Sequence, residues 1–183
     1  MMFRRTVSND IELRQFAPHE ADQVFDLVDR NREALRLWLP WVDQTRSVDD
    51  IWEFISRVTA QFEARLGPSF GIWLEDTLVG AVGCHPIDQA HRSCSLGYWI
   101  ASGHTGKGIV TRCCRHLLDY LFDEEGLHRV EIRCATGNTR SCAIPDRLGF
   151  RLEGVLREAE WVNDRWLDLK VWSMLEQEWR NAQ

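Results

Sequence analysis

A glycine-rich turn, Gly103-His104-Thr105-Gly106-Lys107-Gly108, is the feature that most constrains how this chain can fold. It follows an alternating segment that ends at Ile100 and predicts a strand. It precedes residues 107–125, where apolar side chains recur at helical spacing and predict an amphipathic helix. A helix begins with free N–H groups and partial positive charge, and glycine lets an oxyanion approach the backbone. The turn therefore predicts an anion site, to which Lys107 adds a positive charge.

The position of this turn excludes two familiar nucleotide-binding motifs. A dinucleotide-binding fingerprint needs a βαβ unit and an acidic residue about 20 residues later, whereas several predicted strands precede this turn. A P-loop needs four residues between its glycines and then Gly-Lys-Ser/Thr, which Lys107-Gly108-Ile109 does not supply. A tight connection that binds nothing stays open as the plainer interpretation of the turn alone.

The chain as a whole predicts one α+β domain over residues 1–183, without an internal repeat, linker or low-complexity segment. The predicted elements follow the order β-α-α-β-β-β-α-β-α-β-β. Ser47 and Asn138 are suited to cap helices, and Asn163-Asp164 is suited to a tight hairpin turn. The other predicted elements are a strand at 11–16, a helix from Pro18, strands 70–75 and 78–85 joined at Asp76-Thr77, and strands at 92–100, 129–134, 150–162 and 166–175.

Composition and charge favour a cytoplasmic protein that binds neither membranes nor nucleic acid directly. The net charge of −6 lacks the basic surface that nucleic acid needs, and is compatible with a cationic amine as substrate. No run of about 18 apolar residues predicts a transmembrane helix, and no apolar stretch after Arg4-Arg5 predicts a signal peptide. The six cysteines form no C-x-x-C pair and the six histidines lack metal-ligand spacing. We therefore expect reduced thiols and no metal.

Four motifs together resemble the GNAT acetyltransferases, and more narrowly the RimJ/RimL group of ribosomal-protein N-terminal acetyltransferases. The resemblance covers nearly the whole chain and implies the GNAT fold, a mixed, mostly antiparallel twisted sheet of about seven strands with helices on both faces. One departure is Gly103, because the broad family usually begins the turn with Gln or Arg. The motifs are Tyr98-Trp99-Ile100, Gly106-Lys107-Gly108-Ile109, Asn138-Thr139-Arg140-Ser141 and Arg147-Leu148-Gly149-Phe150.

The resemblance implies acetyl-CoA as co-substrate, with no metal. In this family the strand before the turn is splayed from its neighbour, and the pantetheine arm of the coenzyme pairs with the backbone exposed in the gap. Here that backbone belongs to Tyr98, Trp99 and Ile100, and Asn138 matches a side chain that contacts the same arm. The pyrophosphate is expected on the N–H groups of His104, Thr105, Gly106, Lys107, Gly108 and Ile109.

Acetyl transfer from a thioester to an amine needs a neutral amine and a stabilised leaving thiolate. An α-amine is easier to deprotonate than lysine by about 2.4 pKa units, or roughly 3.3 kcal/mol, so a carboxylate base suits an α-amine better. The resemblance implies Glu160 as this base and Ser141 as the group that hydrogen-bonds the leaving sulfur. Alternation places Glu158 and Glu160 on one strand face, and Pro145 cannot donate to the carbonyl of Ser141. A solvated strand glutamate and an ordinary helix serine are the alternatives.

The acceptor is the least determined part of this prediction. The resemblance implies the α-amine of a protein N-terminus or of a small aminoacyl or peptidyl compound. Trp38, Trp41, Trp161 and Trp166 are candidates to line its pocket, with core packing as the alternative for each. A non-catalytic acyl-CoA-binding module on the same fold is the rival function. A homodimer is expected from the family alone.

Overall fold

The chain forms eight strands in a computed structural model that describes residues 3–182. The strands are β1 (Arg4–Ser8), β2 (Ile11–Gln15), β3 (Ser69–Leu74), β4 (Thr77–Cys84), β5 (Ser93–Ile100), β6 (Arg129–Ala135), β7 (Arg151–Val162) and β8 (Arg165–Leu175). They pair as one sheet in the order β1-β2-β3-β4-β5-β6-β8-β7, and all neighbours are antiparallel except β5 and β6. This confirms the predicted mixed, mostly antiparallel α+β fold.

The strand that the sequence did not predict is β1, at the edge of the sheet. Its residues are mostly polar and are exposed or half-buried, so they carry no clear alternation. It pairs antiparallel with β2, and its strand structure depends on that partner. Met1, Met2 and Gln183 belong to the predicted domain of residues 1–183 but lie outside the described residues.

Helices cover both faces of the sheet, as predicted. On one face α1 (Ala21–Arg30) and α3 (Val48–Glu63) pack over a core cluster that includes Trp73 and Ala81. On the other, α4 (Ile109–Asp119) and α5 (Thr139–Arg147) pack over the larger cluster. Two short helices, α2 (Arg32–Leu35) and α6 (Glu176–Asn181), follow α1 and β8. Within residues 3–182, none of these helices combines the length and apolar character needed to cross a membrane.

Both ends of one predicted helix and the position of one predicted hairpin turn were wrong. The helix expected over 107–125 begins at Ile109, because Gly108 has a left-handed φ of +72°. It ends at Asp119, and residues 120–124 form a wider π turn in which the N–H of Glu125 donates to the carbonyl of Tyr120. The hairpin turns at Glu75-Asp76, not at Asp76-Thr77, since Glu75 and Asp76 have positive φ while the β-branched Thr77 starts β4.

The predicted caps and the last hairpin turn are confirmed. The hydroxyl of Ser47 accepts the N–H of Asp50, whose carboxylate accepts the N–H of Ser47 at 2.8 Å. Asn163 and Asp164 take φ values of +47° and +63°, which suit the two-residue turn between β7 and β8.

Candidate active site

β5 and β6 diverge part-way along their length. Their parallel pairing ends at Leu96 and Ile132, although both strands continue further. Beyond that point Tyr98, Trp99 and Ile100 pair with β4. The edge of β5 that faces β6 therefore carries backbone groups without a strand partner. This is the gap predicted for the pantetheine arm; contact of the arm with this backbone stays a prediction.

A bulge in β4 accompanies the divergence. Ile72 of β3 pairs with Gly80, and Trp73 pairs with Leu78, which leaves Val79 as the extra residue. The carbonyl of Val79 accepts the N–H of Ala101 at 2.8 Å and so anchors the chain directly after β5. A Cβ at position 80 would overlap the carbonyl oxygen of Trp99, so Gly80 permits a close approach of two backbones.

The glycine-rich turn begins with one turn of 3-10 helix over Ser102–His104. The N–H of His104 donates to the carbonyl of Ala101 at 2.9 Å, and that of Thr105 donates to the carbonyl of Ser102 at 3.4 Å. These two N–H groups already have acceptors, so the predicted set of pyrophosphate donors narrows to residues 106–109. Within residues 3–182, the N–H groups of residues 106–108, which precede α4, donate to no backbone carbonyl.

The shape of this turn fits a phosphate group. A Cβ built at Gly103, Gly106 or Gly108 meets no atom within 4 Å, so the surface of the turn is open. Gly106 and Gly108 have positive φ values of 75° and 72°, a left-handed conformation that glycine adopts without steric cost and that occurs in anion-binding backbone nests. Lys107 is exposed between them, and the enclosed Nδ1 of His104 has no hydrogen-bond partner among the described residues.

Ser141 lies on the first turn of α5, beside the open end of β5. Its N–H donates to Oδ1 of Asn138 at 3.2 Å, which makes Asn138 the N-cap, as predicted. The hydroxyl of Tyr98 donates to the carbonyl of Ser141 and also lies 3.2 Å from its Oγ. Sequence reasoning singled out the backbone of Tyr98 but not its hydroxyl. Pro145, which leaves the Ser141 carbonyl without its usual helical donor, indicated an open acceptor but not which residue would fill it.

Glu160 is half-buried near the end of β7, opposite Leu167 of β8. Burial raises the pKa of its carboxyl group above the ordinary value. Among residues 3–182 its side chain has neither a hydrogen bond nor an ion pair. A carboxylate in this state is available to accept a proton from a ligand.

The alternation that underlay the prediction that Glu158 and Glu160 share one face is interrupted. The register of β7 against β8 shifts between Leu156 and Glu160, and Glu158 has a φ of +48° within this bulge. The backbone N–H of Glu158 donates to the carboxylate of Asp168 instead of joining the ladder. A bulge breaks the two-residue period on which the prediction depended.

The loop that follows α2 is fastened to the turn between β7 and β8. Arg165 donates to the carbonyl of Leu37 at 2.6 Å, and the side-chain amide of Asn163 donates to the carbonyl of Arg36. The guanidinium of Arg165 also lies over the ring of Trp38, 5.5 Å from its centroid. Since Arg165 pairs with Val162, alternation places Trp38 on the same side of the hairpin as Glu160.

The four predicted acceptor tryptophans divide into two groups. Trp41 packs against Trp99 on the open end of β5, with 6.1 Å between ring centroids, and Trp38 lies under the guanidinium of Arg165. Trp161 and Trp166 pair across the hairpin and point to the opposite face from Glu160. They remain 49% and 56% exposed, and among the described residues their ring contact is with each other.

Asn31 joins the end of α1 to the glycine-rich turn, a link that no sequence pattern indicated. Its Oδ1 accepts both the N–H of Ser102, at 2.9 Å, and the hydroxyl of Ser102, at 2.7 Å. Arg32 then holds the following loop by donating to the carbonyls of Val42 and Thr45. In the described part of the chain, no three His, Cys, Asp or Glu residues form a cluster that could hold a metal ion.

Comparison with known proteins bears out the resemblance. Residues 10–151 match the family model described as an acetyltransferase (GNAT) domain. The chain is 36% identical to a putative ribosomal N-acetyltransferase, YdaF, of Bacillus subtilis, over 97% of this chain and 98% of that protein. It is 27% identical to the ribosomal-protein-serine acetyltransferase of Escherichia coli, over 92% and 94% of the two chains.

A solved structure agrees in fold. The chain superimposes on the microcin C7 self-immunity acetyltransferase MccE, in complex with acetyl-CoA and AMP, with a TM-score of 0.86. The two share 28% identity over 92% of this chain and 94% of that one. These similarities cover almost the full chain, so they include the sheet, the glycine-rich turn and the β7–β8 hairpin.

Proposed function

Since the chain belongs to the GNAT acetyltransferase family, we propose that it transfers the acetyl group of acetyl-CoA to the α-amine of a protein N-terminus, with Glu160 as general base. The unpartnered, half-buried carboxylate of Glu160 is the observation that carries this proposal. It faces the side of the hairpin to which Trp38 and its loop are fastened, where an acceptor can enter.

The residues at the gap between β5 and β6 fit acetyl-CoA. The backbone of Tyr98 to Ile100 would hold the pantetheine arm, and the N–H groups of residues 106–109 would hold the pyrophosphate. Asn138, already the cap of α5, keeps its amide NH₂ for the same arm. Bound acetyl-CoA supplies the thioester whose carbonyl carbon the amine attacks.

Glu160 accepts the proton that the amine loses. Burial raises the pKa of Glu160. Its carboxylate is therefore a stronger base than that of an exposed glutamate, and its pKa is closer to that of an α-amine. A lysine amine would need roughly 3.3 kcal/mol more to become neutral. This difference favours a protein N-terminus, or another α-amine, as acceptor.

Ser141 stabilises the leaving thiolate. It lies on the first turn of α5 at the open end of β5, where its Oγ–H can donate a hydrogen bond to sulfur. No cysteine nucleophile is required by this direct attack. Burial raises the pKa of the Cys134 thiol to about 12, so this thiol stays protonated at neutral pH.

The protein N-terminus is favoured by the names of the relatives, which include ribosomal-protein acetyltransferases. A small aminoacyl compound is the second acceptor class, and it is favoured by the likeness to MccE, whose complex contains AMP. Trp38 and Trp41 offer flat apolar surfaces on the acceptor side, suited to either class.

An acceptor screen tests this proposal. N-terminal peptides, polyamines and aminoacyl-nucleotide analogues are each mixed with acetyl-CoA, and free thiol is measured. We expect N-terminal peptides to react fastest, and Glu160→Gln to lower kcat by at least about 100-fold with little change in acetyl-CoA affinity. Glu158→Gln is the matched control, since Glu158 is exposed two residues away.

Two results would contradict the proposal. If Glu160→Gln retained wild-type turnover, Glu160 would not be the base. If the wild type bound acetyl-CoA but acetylated no amine in the panel, a non-catalytic acyl-CoA-binding module would be the better description.

A further inference from the structure

The hydroxyl of Tyr98 lies between two oxygen atoms of Ser141. It is 3.2 Å from the carbonyl oxygen, to which it donates, and 3.2 Å from Oγ, where either hydroxyl can be the donor. Tyr98 belongs to the open end of β5 and Ser141 to the first turn of α5. The contact therefore joins the two elements that border the thioester end of the proposed acetyl-CoA site.

Pro145 explains why a phenol can occupy this position. In a regular helix the N–H of residue 145 would donate to the carbonyl of residue 141, and proline has no N–H. Tyr98 supplies a donor to that carbonyl from the neighbouring strand. The hydroxyl of Tyr98 is thereby held beside Oγ of Ser141 by a backbone atom, which is less mobile than a side chain.

The two hydroxyl groups have one proton each, so they allow two arrangements. When Tyr98 donates to the carbonyl, the proton of Ser141 can point to the Tyr98 oxygen. When Tyr98 donates to Oγ of Ser141, the proton of Ser141 is free to point at a third atom. Negative charge on that third atom favours the second arrangement, because each hydrogen bond in such a chain polarises the next.

We propose that Tyr98 is a positioning residue for Ser141, which it holds and to which it donates as the leaving sulfur becomes negative. This rests on the proposed role of Ser141. In the reaction the N–C bond forms, the C–S bond breaks with its electron pair left on sulfur, and Glu160 takes the amine proton. Tyr98 gives a hydrogen bond and keeps its proton throughout.

The surroundings of Tyr98 agree with this role. Burial, the largest cause, raises the pKa of its phenol well above the ordinary value, so Tyr98 stays neutral and remains a donor. Its ring packs against the main core cluster, which fixes the height of the hydroxyl above the strand. A donor that is fixed before the reaction needs no reorganisation when charge develops.

The chain provides a matched control, because it contains two tyrosines. The other, Tyr120, is also a core residue, and its hydroxyl donates to Glu125 at 2.6 Å in the π turn. Tyr98→Phe and Tyr120→Phe each remove one hydroxyl and keep the ring. Comparison of their melting temperatures separates a loss of function from a loss of folding.

The first test measures kcat, KM and the pKa of bound coenzyme A. We expect Tyr98→Phe to lower kcat by about 10-fold, the value of one hydrogen bond, with KM for acetyl-CoA within about two-fold of wild type. The thiol pKa of bound coenzyme A, followed by thiolate absorbance, should rise in Tyr98→Phe and in Ser141→Ala but not in Tyr120→Phe. An unchanged kcat and an unchanged thiol pKa in Tyr98→Phe would overturn the proposal.

The second test combines variants. Tyr98→Phe should slow Ser141→Ala by less than about two-fold further, since Tyr98 acts through Ser141. Fully additive losses would overturn the proposal.

Pro145→Ala restores a helical donor for the Ser141 carbonyl and should lower kcat while the melting temperature is kept or raised. If Ser141→Ala reacts at the wild-type rate, the proposed role of Ser141 fails. If Tyr98→Phe reacts at the wild-type rate while Ser141→Ala is slow, only the role of Tyr98 is misassigned.

Discussion

The half-buried carboxylate of Glu160 has opposite effects on activity and on stability. It can accept a proton because it has no partner among residues 3–182. For the same reason its charge is poorly compensated, and burial raises its pKa. A carboxyl whose pKa is higher in the folded state destabilises that state when it is ionised. The proposed general base is therefore a residue that the fold tolerates at a cost in stability.

Glu160→Gln should raise the melting temperature at pH 7 while it removes activity. The gain should shrink as the pH falls, and vanish below about pH 4, where Glu160 is protonated in both the folded and unfolded states. Thermal unfolding of the wild type and the variant from pH 3 to pH 8 measures this difference. Glu158→Gln, at an exposed site, should show no such gain. A melting temperature of Glu160→Gln below that of the wild type at pH 7 would contradict the prediction.

Single residues were predictable where the local chain alone fixes their role. Asn138 is a capping residue by type, and its position before an amphipathic segment is visible in the sequence. The hydroxyl of Tyr98 depends on a strand and a helix 43 residues apart, which no periodicity encodes. The face of Glu158 could not be predicted by alternation, because a bulge, which depends on pairing with β8, interrupts the period of β7.

At the scale of elements, the gap between β5 and β6 depends on how β4 meets β5. The amphipathic helix and the turn before it could be predicted, since both leave local patterns. The bulge at Val79 could not, because it is a matter of register between β3 and β4. Gly80 is the residue through which this register can be tested.

Gly80→Ala should displace the open end of β5. Its Cβ would overlap the carbonyl oxygen of Trp99 and lie 2.9 Å from Cα of Ile100, and both are backbone atoms that cannot rotate away. We expect a loss of roughly 1–3 kcal/mol in the free energy of unfolding and a higher KM for acetyl-CoA. Gly154→Ala is the control, since a Cβ there meets nothing within 4 Å. Chemical denaturation and steady-state kinetics measure both effects, and equal stability of the two variants would refute the prediction.

The turn before α4 allows a second comparison of glycines. Gly103 and Gly108 both face open space, but Gly108 has a φ of +72°. Gly108→Ala should therefore strain the backbone by about 1–2 kcal/mol and rotate the N–H groups proposed to hold pyrophosphate. We expect KM for acetyl-CoA to rise by about 10-fold, or about 1.4 kcal/mol of binding free energy, with Gly103→Ala close to wild type. Similar KM values for the two variants would show that the turn does not hold the pyrophosphate.

At the scale of the whole molecule, the proposed sites for the two substrates are built from segments that are distant in the sequence and are connected by hydrogen bonds. The loop after α2, which is proposed to bind the acceptor, is tied to the β7–β8 hairpin by Arg165, and the turn before α4 directly follows β5. Asn31 bonds to Ser102, across 71 positions of the chain, and so connects the loop region to the turn. Coenzyme A that orders the glycine-rich turn can thus favour the conformation of the loop after α2 that binds the acceptor.

Asn31→Ala should weaken this connection without removing either site. In the wild type we expect coenzyme A to increase the affinity for an acceptor peptide, and in Asn31→Ala we expect this increase to fall toward one-fold, since the bonds to Ser102 are lost. Calorimetric titration of the peptide, with and without coenzyme A, measures the ratio. Ser102→Ala removes the hydroxyl bond but keeps the N–H bond, so its ratio should lie between the two. By reciprocity the peptide must change coenzyme A affinity by the same factor in each protein. A wild-type ratio in Asn31→Ala would mean that the two sites communicate by another route, with the open end of β5 and its contact between Trp99 and Trp41 as the next candidate.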